Sequence, residues 1–304
     1  LYDDGRIWSE SGPVIGTSEM DLTVSKNVKE TIIIESGCTA SVELGQRITG
    51  KLPHLGQVYI EGQGRSSSAK AGADIKIVGE DGPLQPGYRG SLYAEITSRA
   101  NYPNGVAPGD RIADFMFYVG HPEECILDPL DVLDDTRSLV KNRNIEIDGK
   151  KLIMRLGLMN GKKPVGYKAK GASETAWLRY KTNCRDDFFE SIESCSEYHA
   201  KKGDFLLLIP STELCVDPRA DVPFIARMLR YNRKGLEVNL KDTIRFGSRY
   251  HRTVMEVPVT EDTVLRHGDP ICEIVFYRMY ERPKTTYSGM GSRNNSTITG
   301  NFFY

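Results

Sequence analysis

The segment GRSSSAKAG (64 to 72) sets three serine hydroxyls between two cations, Arg65 and Lys70, with a glycine at each end. Hydroxyl and backbone N–H donors at close range, backed by positive charge, are the groups that bind phosphate oxygens. A solvated linker is the other meaning of a Ser-rich stretch. Further on, PGYRGSLYAEI (86 to 96) opens with the turn signal Pro86-Gly87 and runs into an apolar strand carrying one carboxylate, Glu95. A carboxylate among apolar neighbours is costly to bury unpaired, so it is either exposed or held for proton transfer.

Glu95 has a counterpart about 160 residues later. YAEI (93 to 96) precedes GDRIADFMF (109 to 117), and VMEV (254 to 257) precedes GDPICEIVF (268 to 276). Glu95 to Gly109 is 14 positions and Glu256 to Gly268 is 12, a spacing that indicates internal duplication. Two copies are too few for a solenoid, so two related β domains are expected, each with a carboxylate in the same frame. Glu256 is therefore a candidate for a secondary site.

The elements that must position these residues are short apolar runs rich in Val, Ile and Tyr: TIIIE (31 to 35), QVYIEG (57 to 62), IKIVG (75 to 79), KLIMRLGLM (151 to 159), DFLLLIP (204 to 210) and RTVMEVPV (252 to 259). Gly, Pro, Asn and Asp punctuate them, which predicts a mainly β, antiparallel architecture with a few short helices. VPFIARMLRYN (222 to 232) is the best helical candidate, and the acidic LDPLDVLDDT (127 to 136) reads as a loop near the domain boundary. The expected division is a first domain over 1-130 with the Ser-rich loop and Glu95, a second, diverged domain over 131-283, and an arm over 284-304. That arm is rich in Gly, Ser, Asn and Thr, and is either frayed or folds over a ligand with Tyr287 or the final aromatics stacking on something flat.

Composition excludes several classes. The 304 residues carry 40 Lys and Arg against 41 Asp and Glu, a net charge of −1, so no basic field exists to hold a nucleic-acid polymer. Phosphate recognition must be local. Six cysteines, at 38, 125, 184, 195, 215 and 272, lack the close spacing of a disulfide scaffold, and a reduced, cytoplasmic setting is expected. No apolar run approaches the roughly 18 residues of a membrane helix, and no signal peptide is expected.

Taken in order, GTSEMDLTV (16 to 24), GRSSSAKAG, PGYRGSLYAEI and PGDRIADFMF (108 to 117) resemble the ordered motifs of the dUTPase and dCTP deaminase superfamily. The second half extends the resemblance through GYKAKG (166 to 171), DDFFESI (186 to 192), DFLLLIPSTELCVDP (204 to 218), GSRYHRTVMEVPV (247 to 259) and LRHGDPICEIVFYRMYERP (265 to 283). Nearly the whole chain is similar to the duplicated bacterial form of dCTP deaminase. The resemblance implies tandem β-clip (dUTPase-like) domains, assembly with three-fold symmetry, and active sites between subunits. It implies deamination of dCTP to dUTP and ammonia without zinc, with Mg²⁺ arriving on the substrate triphosphate. By motif position Glu95 is the proton carrier, and Arg65, Ser66, Ser67 and Lys70 contact the nucleotide. Lys76, Tyr88 and Tyr287 are further substrate-binding candidates, Lys76 standing in for an arginine that the chain lacks next to Gln85.

Zinc is not expected from the residues either. His121-Pro122-Glu123 has the H-x-E form of zinc-dependent nucleobase deaminases, but their C-x-x-C is absent and Cys184 and Cys195 stand 11 apart. Where dUTPases place an aspartate to activate water, this chain has Gln85, and an amide cannot take that proton. Two alternatives stay open: a dUTP pyrophosphatase or bifunctional enzyme, and a nucleotide-binding regulatory relative without catalysis.

Overall fold

The computed structural model describes residues 7–9, 12–14, 19–48, 58–80, 82–84, 88–119, 122–134, 140–141, 146–159, 161, 164–179, 183–211, 213–214, 224–231, 233–237, 243–244 and 254–278. The chain is mainly β, and the described α-helices are short: Ser66–Lys70, Pro129–Asp134 and Arg185–Phe188. No described helix is long and apolar enough to cross a membrane. Two compact units form. One takes the chain up to Glu124 and then Lys170–Phe188; the other takes Cys125–Ala169 and continues from Phe189.

The first unit is built on a nine-stranded sheet. Its order is Gly12–Val14, Ile7–Ser9, Thr39–Ile48, Gly90–Ser98, Ala73–Gly79, Val58–Gly64, Arg111–Val119 and Glu19–Thr23, with Gly82–Pro83 paired to Ala73–Gly79. Successive strands pair antiparallel, so side chains alternate between faces in phase across the sheet. Leu22, Val42, Leu44, Ile75, Leu92, Ala94, Ile96 and Phe115, all under 4% exposed, make the inner face. The segment Lys170–Phe188 adds Ala176–Trp177 as a parallel strand beside Asn104–Val106 and seats Phe188 on Tyr102 with ring centroids 5.0 Å apart.

The second unit has a five-stranded sheet, Glu146–Asp148, Lys151–Arg155, Pro270–Arg278, Phe224–Arg230 and Thr243–Ile244. A four-stranded sheet orders Phe189–Ile192, Gly166–Ala169, Phe205–Leu208 and Met255–Pro258. Its core gathers Leu152, Met154, Leu206, Leu208, Phe224, Met228, Met255, Val257 and Phe276.

The repeated Gly-Asp turn is the same object in each unit. Gly109 has φ +83 and Gly268 φ +86, a region that glycine occupies without strain, and open space surrounds both Cα atoms. The Asp110 carboxylate accepts the Ala107 N–H at 2.7 Å, and the Asp269 carboxylate accepts the Arg266 N–H at 2.7 Å. Val24 exchanges backbone bonds with the first turn and Leu156 with the second, Val24 bridges Leu44, and Leu156 bridges Pro210. Counting outward from those bridges, Glu95 lies opposite Ser41 and Glu256 opposite Leu207 at the same step.

Three local expectations are corrected. The candidate helix at 222 to 232 is the strand Phe224–Arg230, paired through seven residues with Pro270–Arg278, because pairing with a central strand outweighs local propensity. The expected loop at 127 to 136 contains the helix Pro129–Asp134: Asp128 accepts the Leu130 N–H at 2.9 Å, and proline suits a first helical position. Most of the Ser-rich loop is the helix Ser66–Lys70.

Candidate functional site

The strand Gly90–Ser98 has the sequence GSLYAEITS, whose alternation sends Leu92, Ala94 and Ile96 inward and Ser91, Tyr93, Glu95 and Thr97 to the other face. Thr39, Ser41 and Glu43 stand on that second face from one neighbouring strand, and Lys76 and Val78 from the other. Register then draws a line of directly opposed polar residues across six strands: Ser41, Glu95, Lys76, Gln63, Asp114 and Asp21. The line is exposed at Ser41, Glu95 and Lys76 and buried at Gln63 and Asp114, each 5% exposed.

At its exposed end the face is hollowed into a depression of about 250 Å³ lined by Ser41, Val78, Gly79, Glu80, Tyr93 and Glu95. Among the described residues the carboxylates of Glu43, Glu80 and Glu95 and the ammonium groups of Lys70 and Lys76 have no hydrogen-bond or ion-pair partner. Directly opposed residues place their Cβ atoms about 5 Å apart, so Lys76 is a charge neighbour of Glu95 without being locked to it. The Tyr93 phenol is pushed above its ordinary pKa, by burial first and then by the neighbouring Glu43, Glu80 and Tyr88.

The phosphate candidates lie on an adjoining element. Arg65 follows the strand Val58–Gly64 and donates its N–H to the Ile112 carbonyl at 3.0 Å, which starts the helix Ser66–Lys70. This helix packs on Ala73–Gly79, the strand that carries Lys76. Ser67 is half-buried and Lys70 sits in the last turn. Ser68 is fully buried and donates to the Ile112 carbonyl at 3.3 Å, so the third hydroxyl of the motif fastens the helix to the sheet. The side chain of Ser66, Gln85, the Pro86-Gly87 turn, His121, Tyr287 and the arm over 284-304 lie outside the described residues.

Tyr88 is committed to the backbone. Its hydroxyl accepts the Glu80 N–H at 3.0 Å and donates to the Ser91 carbonyl at 2.6 Å. Its ring fills the space beside Gly79 and its hydroxyl the space beside Gly90, where an added Cβ would stand 2.4 Å from the ring and 2.6 Å from the hydroxyl oxygen. What Tyr88 has left for a ligand is the ring. Glu256 is placed very differently from Glu95: it is 2% exposed, opposite Leu207, in a strand buried on both faces.

Ser41, Glu43 and Glu80 join the site from outside the sequence motifs, and Tyr93 joins it from within PGYRGSLYAEI. For Ser41, Glu43 and Tyr93 the signal is the alternation in TASVE, which matches that in SLYAE and reveals a shared polar face once the two strands are paired; Glu80 has no such mark. Among the described residues, no group of three or more His, Cys, Asp or Glu comes together as a metal site.

No protein-family profile and no curated protein sequence matches the chain. A solved structure does. The crystal structure of 2′-deoxycytidine 5′-triphosphate deaminase from Agrobacterium tumefaciens has a TM-score of 0.76, with 90% of this chain and 94% of that one covered at 19% identity. At that identity the likeness establishes a shared dUTPase-like β fold.

Proposed function

We propose that the chain deaminates dCTP to dUTP, with Glu95 as the proton carrier. The observation that carries the reading is a carboxylate without a partner among the described residues, at the edge of a pocket and beside Ser41 and Lys76, in a fold shared with a dCTP deaminase. A carboxylate in that position takes a proton from water as the water oxygen bonds to carbon 4 of cytosine. One proton ends on ring nitrogen 3 and the other on the amino group, and the carbon–nitrogen bond breaks to release ammonia. Arg65, Ser66, Ser67 and Lys70 take the triphosphate, with Mg²⁺ entering as part of the substrate, and Lys76 supplies charge next to Glu95. Zinc has no part in this scheme.

The matched turns and bridges in the two units support descent from one duplicated domain. We further infer a homo-oligomer with three-fold symmetry. The test is to incubate the full chain with dCTP and with dUTP in the presence of Mg²⁺, following ammonia and pyrophosphate separately. Ammonia from dCTP, lost in Glu95→Gln, is the expected outcome. Pyrophosphate from dUTP would favour the pyrophosphatase reading, and nucleotide binding without either product would favour a regulatory relative.

A further inference from the structure

We propose that Glu80 is the specificity-determining group of the pocket, recognising the amino group of the substrate base and rejecting the carbonyl that replaces it in the product. The inference rests on the reading of this pocket as a cytosine nucleotide deaminase site.

Glu95 and Ser41 stand at one end of the pocket, the opposed pair Val78 and Tyr93 in the middle, and Gly79 and Glu80 at the other end. From Lys76, opposite Glu95, to Glu80 is four residues, about 13 Å of extended chain. Water attacks carbon 4 perpendicular to the ring, whereas the amino group lies in the ring plane, so the two atoms need separate polar partners. Glu95 serves the first position and Glu80 is placed for the second.

The position of Glu80 is built. Tyr88 holds its N–H at 3.0 Å and ties it through the Ser91 carbonyl at 2.6 Å to the strand that carries Glu95. Gly79 and Gly90 leave room for the Tyr88 ring where any other residue would collide with it. The Glu80 carboxylate, without a partner among the described residues, is an acceptor only. Substrate and product differ at carbon 4, where an amino donor gives way to a carbonyl acceptor, and at the adjacent ring nitrogen 3, which gains a proton and turns from acceptor to donor. Glu80 is assigned to the group on carbon 4. An acceptor facing a donor binds it; an acceptor facing an acceptor repels it and leaves both groups unsatisfied.

The test compares dCTP and dUTP affinities, by calorimetry and by product inhibition, in wild type, Glu80→Gln and Tyr88→Phe. Glu80 is exposed, and glutamine keeps its shape, so the first variant folds. Its amide can donate to a carbonyl: dUTP should bind more tightly than to wild type while dCTP binds more weakly, cutting the preference by about tenfold. Tyr88→Phe keeps the ring but frees Glu80, and should cut the preference by less, with KM affected more than kcat. Equal weakening of both nucleotides, or an unchanged ratio in an enzyme that still deaminates dCTP, would overturn the role of Glu80 and leave the reaction standing. A wild-type chain that binds neither nucleotide overturns both.

Discussion

The two units share one hydrogen-bonded frame and use it for opposite ends. In the first, the Glu95 strand is buried on one face only, and its other face meets Ser41 and Lys76. In the second, the equivalent glutamate meets Leu207, 0% exposed, with Tyr167, 3% exposed, one strand further on, and Glu256 itself is 2% exposed. Among the described residues the charged groups of Glu43, Glu80, Glu95 and Lys76 stand without partners, whereas many in the second unit are spent on one another: Lys151 with Glu273 at 2.6 Å, Arg233 with Asp269 at 2.8 Å, Lys168 with Asp204 at 3.0 Å. A position in a fold is therefore not a role. Neighbours across the sheet decide whether a carboxylate is free to exchange protons with a ligand or is a buried charge to be neutralised by its surroundings.

The largest expected effect breaks this symmetry outright. Glu95→Gln keeps the shape and removes the base, so ammonia release from dCTP should fall by about 10²- to 10⁴-fold with nucleotide binding largely retained. Glu256→Gln should lower turnover far less, because among the described residues its neighbour across the sheet is the buried Leu207 and not a group of an open pocket. Comparable losses in the two variants would show that both copies act in catalysis.

Ser41 and Leu207 occupy the same register step, which allows a second test on stability. Leu207→Ala opens a cavity in a strand buried on both faces and should cost about 2–5 kcal/mol. Ser41→Ala changes an exposed residue and should stay within about 0.5 kcal/mol while disturbing activity. Urea unfolding read alongside turnover separates the two; a large stability loss at Ser41 would mean that its face is covered.

This contrast was half legible in the sequence. SLYAEI alternates and FLLLI does not, and an unbroken apolar run is what a strand buried on both faces requires. The paired Gly-Asp turns were legible because φ above zero leaves a glycine signature. Other features were not. Phe224–Arg230 looks helical because Phe224, Ile225, Met228 and Leu229 recur at helical spacing; its strand state follows from pairing with Pro270–Arg278, which no local pattern encodes. Ser68 is indistinguishable from Ser67 until the Ile112 carbonyl is seen above it. The return of Lys170–Phe188 to the first unit has no local mark at all, since Phe188 is explained by Tyr102, a residue far away in the chain.

A smaller effect tests whether the frames are equivalent. Gly109→Ala and Gly268→Ala meet no neighbour within 4 Å, so each should cost only the strain of a positive φ, about 1 kcal/mol. Near-equal shifts in the unfolding midpoint are expected. A several-fold disparity would mean that the turns carry different loads despite their matched bonds.

The smallest expected effect lies in the aspartates of those turns, and it depends on pH. Asp269 has Arg233 at 2.8 Å, so Asp269→Asn forfeits a partly exposed ion pair, up to about 1 kcal/mol. Asp110 has Arg179 only at 3.7 Å, and burial raises its carboxyl above the ordinary value, with the Ala107 N–H and the Arg179 charge working against that rise. A raised carboxyl holds its proton more readily in the folded chain than in the unfolded one. Its contribution to stability is thus fully present below the ordinary carboxyl pKa and is lost as pH climbs through the folded value. Asp110→Asn removes the titration but keeps an oxygen to accept the Ala107 N–H. Unfolding midpoints measured from about pH 3 to about pH 6 should therefore move in favour of the variant relative to wild type as pH rises. Movement the other way would mean that the Arg179 charge outweighs burial at Asp110, and that the first turn is held by an ion pair as the second is.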